Sequence, residues 1–206
     1  TKSIANFIIF NQRNEFEKML QLTKYYQSEN DLRLSYFIKN KLVEHEGFDR
    51  ALEIVTKDKD KMVQIIAYCF MPTHIHLILK QLMDNGISNY MRKVLDGYTR
   101  YFNTVHKRKG PLEESKFKNV LVNNDEQLLH LTRYLHLNSV TARLTNKPED
   151  WIFSSYKEYL EKVNDDSILC QFNGILEIKP SIYRKFVSDQ ISYQRELAKI
   201  KKLMMP

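Results

Sequence analysis

Two short stretches of this sequence bring metal-binding and nucleophilic side chains within reach of one another. The first is His74-Ile75-His76. In a strand, side chains alternate between faces, so His74, His76 and Ile78 share one face while Ile75, Leu77 and Leu79 share the other. The second set is wholly apolar and is expected to face the core. The two imidazoles then project together, about 7 Å apart at the backbone, a separation from which both can reach one metal ion. The second stretch is Tyr134-Leu135-His136-Leu137-Asn138. Residues four apart on a helix share a face, so Tyr134 and Asn138 are neighbours there. A phenol beside an amide oxygen can place a nucleophile next to a metal ligand. Each pattern alone also has a plainer reading: an incidental histidine pair, and a core tyrosine with an asparagine near a helix end.

The elements that must hold these residues are legible on either side. Residues 62–71 are a dense β-branched and aromatic run (Val63, Ile65, Ile66, Tyr68, Phe70), the composition of a buried strand. Pro72 cannot donate to a sheet ladder and marks a turn, after which 74–80 resumes as a second strand, so 62–80 reads as a β-hairpin. Gly86 opens a helix running to about residue 106, with Met91, Leu95, Tyr98, Phe102 and Val105 on its core stripe. Helices are also expected over 15–26 and 32–43. Phe117, Val120 and Val122 suggest a short strand over 117–122. Asp125 suits the N-cap of a helix containing Leu128, Leu131 and Leu135. Residues 151–160 form a short amphipathic segment, and 180–206 form a basic tail in which six Lys and Arg face Asp189 and Glu196. Strands interspersed with helices make an α+β domain.

Composition narrows the class further. The chain has 206 residues and a net charge of +7 (32 Lys+Arg against 25 Asp+Glu). Its apolar share of 43% is enough for a real core and excludes a largely disordered protein. Five Gly and five Pro exclude collagen-like character. The longest apolar run, 65–71, is too short to cross a bilayer, and nothing at the N-terminus reads as a secretory signal. A cytoplasmic protein is expected. Cys69 and Cys170 form no CxxC pair, so both are expected as reduced thiols, Cys69 within a buried strand. The positive balance points to an acidic partner, and nucleic acid is the commonest for a basic domain.

Five blocks in order then carry a resemblance. Met71-Pro72-Thr73-His74-Ile75-His76-Leu77-Ile78-Leu79 resembles the "MPNHVHLLL" signature of the single-tyrosine HUH (His-hydrophobic-His) transposases. Tyr101-Phe102-Asn103 and Lys116-Phe117-Lys118 match "YFN" and "RFK". Arg133-Tyr134-Leu135-His136-Leu137-Asn138-Ser139-Val140 is similar to "RYIHLNPVRAGL", and Trp151-Ile152-Phe153-Ser154-Ser155-Tyr156 to "WPWSSY". The branch most resembled is the REP-associated tyrosine transposases. The resemblance implies a ferredoxin-like antiparallel sheet with packed helices over 1–160, followed by a basic, mainly helical C-terminal extension over 161–206. Family members begin with a strand carrying a "YH..NRG"-like pattern, and 1–6 would start inside or just after it.

The resemblance also implies roles. His74, His76 and Asn138 would bind a divalent ion, Mg²⁺ or Mn²⁺, and Tyr134 would be the nucleophile. Cleavage and rejoining of single-stranded or hairpin DNA would then pass through a 5′-phosphotyrosine. Lys116, Lys118, Arg133 and Arg143 are the basic residues expected to meet phosphates. Monomer and homodimer are both open, and a catalytically silent DNA-binding descendant is the alternative. The sequence departs from the pattern where "NPVRAGL" becomes Asn138-Ser139-Val140-Thr141-Ala142-Arg143-Leu144 and "LFQGRFK" becomes Leu112-Glu113-Glu114-Ser115-Lys116-Phe117-Lys118. These changes spare the residues expected to react and alter those expected to touch DNA.

Overall fold

Strands β1 (Val63–Met71) and β2 (His74–Gln81) form a two-stranded sheet. The connection through Pro72 and Thr73 is too short for anything but an antiparallel hairpin. The computed structural model describes residues 3–4, 7–30, 32–113, 117–163 and 168–204. Along the chain the hairpin is preceded by helices α1 (Arg13–Tyr25), α2 (Leu34–Phe37), α3 (Lys41–Glu46) and α4 (Phe48–Thr56), and followed by α5 (Gly86–Val105). After them come α6 (Asp125–Thr141), α7 (Tyr156–Tyr159), α8 (Pro180–Ser188) and α9 (Ile191–Met204). The fold is α+β, as the interspersed patterns predict. Among the described residues no helix is long and apolar enough to cross a membrane.

The chain divides into two compact units. Unit 1 comprises Thr1–Ile65, Pro72–His74 and Leu79–Phe117. Its core joins α1 and α5 through Phe16, Met19, Leu22, Tyr90, Val94, Tyr98 and Phe102, all buried. Tyr98 donates its hydroxyl to the Ile9 carbonyl, and Tyr90 donates to the Thr23 carbonyl at 3.3 Å. Glu15 receives the Gln12 N–H at 2.9 Å and meets His106 Nε2 at 2.6 Å, tying the start of α1 to the end of α5. The hairpin turn is anchored here too. Ile9 N–H donates to the Pro72 carbonyl at 2.8 Å, and Ser3 N–H donates to the Thr73 carbonyl at 3.1 Å.

Unit 2 comprises Ile66–Met71, Ile75–Ile78 and Lys118–Pro206. An unpaired strand edge invites aggregation, and here the chain covers its own. Phe70 N–H donates to the Phe153 carbonyl at 2.9 Å, and Ser155 N–H to the Tyr68 carbonyl at 3.0 Å. Trp151 Nε1 donates to the Phe70 carbonyl at 3.0 Å, and Tyr159 donates its hydroxyl to Ile66 at 2.8 Å. The block around 151–156 thus serves as a stand-in third strand for β1.

Several local expectations are corrected. The single helix expected over 32–43 is two short ones, because Asn40 turns extended and accepts the Leu42 N–H at 2.9 Å, capping α3 afresh. The cap of α6 is Asn124, which accepts from Gln127 N–H at 2.8 Å, so Asp125 is its first helical residue. No strand forms over 117–122: Val120 is 81% and Leu121 78% exposed, and β-branched composition without a partner makes no ladder. Within the basic tail lie α8 and α9. The expected split of β2 into one core face and one open face holds only in part. Ile75 is buried, but so is Ile78 on the histidine face, while Leu77 and Leu79 are half-buried. Both cysteines are free and buried, and burial pushes the Cys69 thiol up to about 12, so it stays protonated and inert.

Candidate functional site

The site in unit 2 depends on which face of α6 is buried, and that face carries a histidine held at both ring nitrogens. His136 is fully buried among the rings of Tyr156, Tyr159 and Tyr183. Its Nδ1 lies 2.6 Å from the Tyr183 hydroxyl on α8, and its Nε2 lies 2.8 Å from Ser155 Oγ. Ser155 Oγ also accepts the Tyr68 N–H at 3.0 Å and donates to the Tyr68 carbonyl at 3.2 Å. Every partner is satisfied if His136 is neutral with its proton on Nε2, receiving the Tyr183 hydroxyl at Nδ1. Burial drives its pKa down to about 3, in keeping with a neutral ring. Leu135, Leu137, Ser139 and Val140 are buried beside it.

With those residues inward, Tyr134 faces outward. Tyr134 is 49% exposed, and its ring meets the His76 ring edge-on, with centroids 6.0 Å apart and planes at 84°. Asn138, one turn on, is half-buried, and its Nδ2 is buried without a hydrogen-bond partner. Unit 2 therefore brings together three of the four residues expected at the reactive centre. His74 belongs to unit 1, half-buried at the start of β2, where its Nδ1 meets Thr73 Oγ1 at 2.9 Å.

His74 and His76 carry imidazole nitrogens and Asn138 an amide oxygen, donor atoms of the kind a divalent ion takes. Among the described residues no group of three or more His, Cys, Asp or Glu is placed to hold a metal. Asn138 offers an amide oxygen nearby, while the unpartnered end of its amide is the Nδ2 donor. Two other tyrosines, on α5, are closed off from any substrate. Tyr90 and Tyr98 are 0% exposed, and burial, with the Glu15 charge nearby, raises the Tyr98 phenol far out of reach. Tyr98 in the core is as its helical spacing predicts.

The basic residues scatter. Arg133 lays its guanidinium 4.2 Å from the Phe186 ring centroid and bonds His130 Nδ1 at 2.8 Å through Nη2. Lys118 is exposed. Arg143 is exposed and lies just beyond α6 with φ of +59°, in the left-handed region. Lys116 lies outside the described residues. The residues that sequence reasoning missed are His136, Ser155 and Tyr183. Two sit inside blocks that carried the resemblance, yet spacing gives no sign that residues 19 and 47 positions apart share one ring. Compared with family models, curated proteins and solved structures, the chain matches none.

Proposed function

We propose that this chain is a single-tyrosine nuclease of the HUH transposase type, of the REP-associated kind, that cuts and rejoins single-stranded or hairpin DNA. The observation that carries the reading is the approach of the His76 imidazole to an exposed Tyr134, with Asn138 one helical turn away on α6. Support also comes from the hairpin that opens β2 with both histidines, the feature on which a ferredoxin-like HUH fold would be built.

In this reading Tyr134 Oη attacks the scissile phosphorus. An oxygen–phosphorus bond forms, the bond to the 3′ oxygen breaks, and the phenolic proton is balanced by the proton taken up at the departing 3′ oxygen. The downstream strand is left as a 5′-phosphotyrosine. Its bond retains the phosphodiester energy, so an incoming 3′-OH reverses the step without ATP. His74 and His76 through ring nitrogens, and Asn138 through its amide oxygen, would hold Mg²⁺ or Mn²⁺. Such an ion, when bound, polarises the scissile phosphate and offsets the charge that builds on its oxygens. The protein's own contribution is positional. His136 holds α6 so that Tyr134 points outward, and Lys116, Lys118, Arg133 and Arg143 supply positive charge for the strand.

The test is a nicking assay on labelled oligonucleotides in Mg²⁺. Single-stranded and hairpin DNA should be cut and fully paired duplex spared, because a strand must leave its duplex to reach the phenol. Duplex cut as fast as single strands contradicts the reading. Tight binding with no nicking replaces it with a silent DNA-binding descendant.

A further inference from the structure

Unit 2 carries a second basic feature, set apart along the chain from Tyr134. A cavity of about 420 Å³ is lined by Arg143, Asn146, Ser192, Arg195 and Glu196, where the chain leaves α6 and enters α9. Resting on the function proposed above, we infer that Arg143 and Arg195 form a phosphate pocket that anchors one phosphodiester of the bound DNA strand away from the cut.

Three observations converge on it. The first is charge: the described lining carries two guanidiniums against one carboxylate and is net positive. The second is an unmet donor. Arg195 is held in place where its Nη2 donates to the Asn146 carbonyl at 3.3 Å, yet its Nε–H is buried with no partner. That Nε is closed to solvent, so a phosphate oxygen reaches it once the guanidinium turns towards the cavity, and the planar fork itself suits phosphate. The third is position. Helix α6 closes with Leu144 N–H donating to the Ser139 carbonyl and Arg143 N–H donating to the Val140 carbonyl. That closure puts Arg143 at φ +59°, and the turn it makes carries the residue to the cavity lining.

The chemistry also limits what is bound. Among the described lining residues there is no aromatic ring, so these offer no surface for stacking a base. It grips backbone, and therefore adds affinity without sequence preference. Its place on the strand follows from helix geometry. About 12 Å of helix separates Tyr134 from the C-terminal turn of α6, against about 3.4 Å of rise per stacked nucleotide. The anchored phosphate thus lies on the order of three or four nucleotides from the scissile one.

The test is fluorescence anisotropy of the full chain with a labelled hairpin oligonucleotide, for wild type, Arg143→Gly and Arg195→Gln. Each variant should weaken binding roughly fivefold to tenfold and lower the salt slope by about 0.7, the value for one single-strand phosphate. The double variant should lower the slope no further, because both arginines serve the same phosphate. Arg143→Gly should keep or raise the melting temperature, so its weaker binding cannot be blamed on unfolding. A scan of neutral methylphosphonate linkages should find one position that weakens wild type and has no added effect in Arg195→Gln. Unchanged affinity and slope in both single variants overturns the pocket. So does a pocket that loses inorganic phosphate in the variants while DNA affinity stays intact. Covalent adduct formation is read separately: adduct with full DNA affinity in both variants sinks the pocket alone. Weakened variants of a protein that forms no adduct sink the nuclease reading alone.

Discussion

Replacing His136 with glutamine should remove a block of pH dependence from the stability of this protein. In the folded chain the imidazole is fully buried and its pKa is driven down to about 3, whereas an unfolded histidine titrates at about 6.5. Between those values the unfolded chain binds a proton that the folded chain refuses. Stability from this group is therefore fully present above pH ~6.5 and falls as the pH drops towards ~3. Each unit is worth about 1.4 kcal/mol, so the loss is about 2 kcal/mol between pH 6.5 and 5, and at most about 5 kcal/mol by pH 3. A glutamine amide takes up no such proton. The His136→Gln variant starts less stable by about 1–3 kcal/mol, because Tyr183 or Ser155 loses a good partner in the core. Urea unfolding of both proteins at pH 7.5, 6.5, 5.5 and 5 measures the difference, and other titrating groups cancel in the comparison. The two stability curves should converge by about 2 kcal/mol over that range. Parallel curves would refute a neutral, buried His136, and with it the account of what orients α6.

Three other outcomes follow from particular contacts. Gly86→Ala should destabilise by about 1–3 kcal/mol in urea unfolding, since a Cβ there would overlap the backbone carbonyl of Met62, which no rotamer can relieve. His76→Ala should abolish nicking while leaving the circular dichroism spectrum and melting temperature nearly unchanged, and EDTA should silence wild type until Mg²⁺ or Mn²⁺ is restored; full activity in chelator would end the metal assignment. Affinity for single strands should fall steeply with salt, as lysines and arginines displace phosphate counterions, and a flat salt response would count against a backbone contact.

Which parts were legible in the sequence follows from how local their causes are. The hairpin was, because Pro72 punctuates two runs of strand-forming residues. Helix α5 was, because its stripe repeats through five positions, although Val105 at its end proves 50% exposed. The Tyr134–Asn138 pair was legible as a helical neighbour relation, and Tyr98 was legible as core from its stripe. What could not be read depends on partners far along the chain. His136 sits between two leucines and looks like an ordinary core position, and only folding brings Ser155 and Tyr183 to its ring. The failed strand at 117–122 teaches the same lesson from the other side. Val120 and Val122 favour a pleated surface, but a strand exists only where another backbone meets it. Arg143 could be seen only as a departure from a pattern; its left-handed backbone and the cavity beside it came from the fold.

The most direct test of the central claim is a denaturing gel of wild type and Tyr134→Phe with oligonucleotides labelled at either end. The substitution keeps the ring that meets His76 and removes only the hydroxyl, so DNA binding should be nearly unchanged. Wild type should leave protein attached solely to the fragment downstream of the nick, and Tyr134→Phe should leave none. An adduct that persists in Tyr134→Phe, or protein found on the upstream fragment, would contradict the assignment of Tyr134 as the nucleophile.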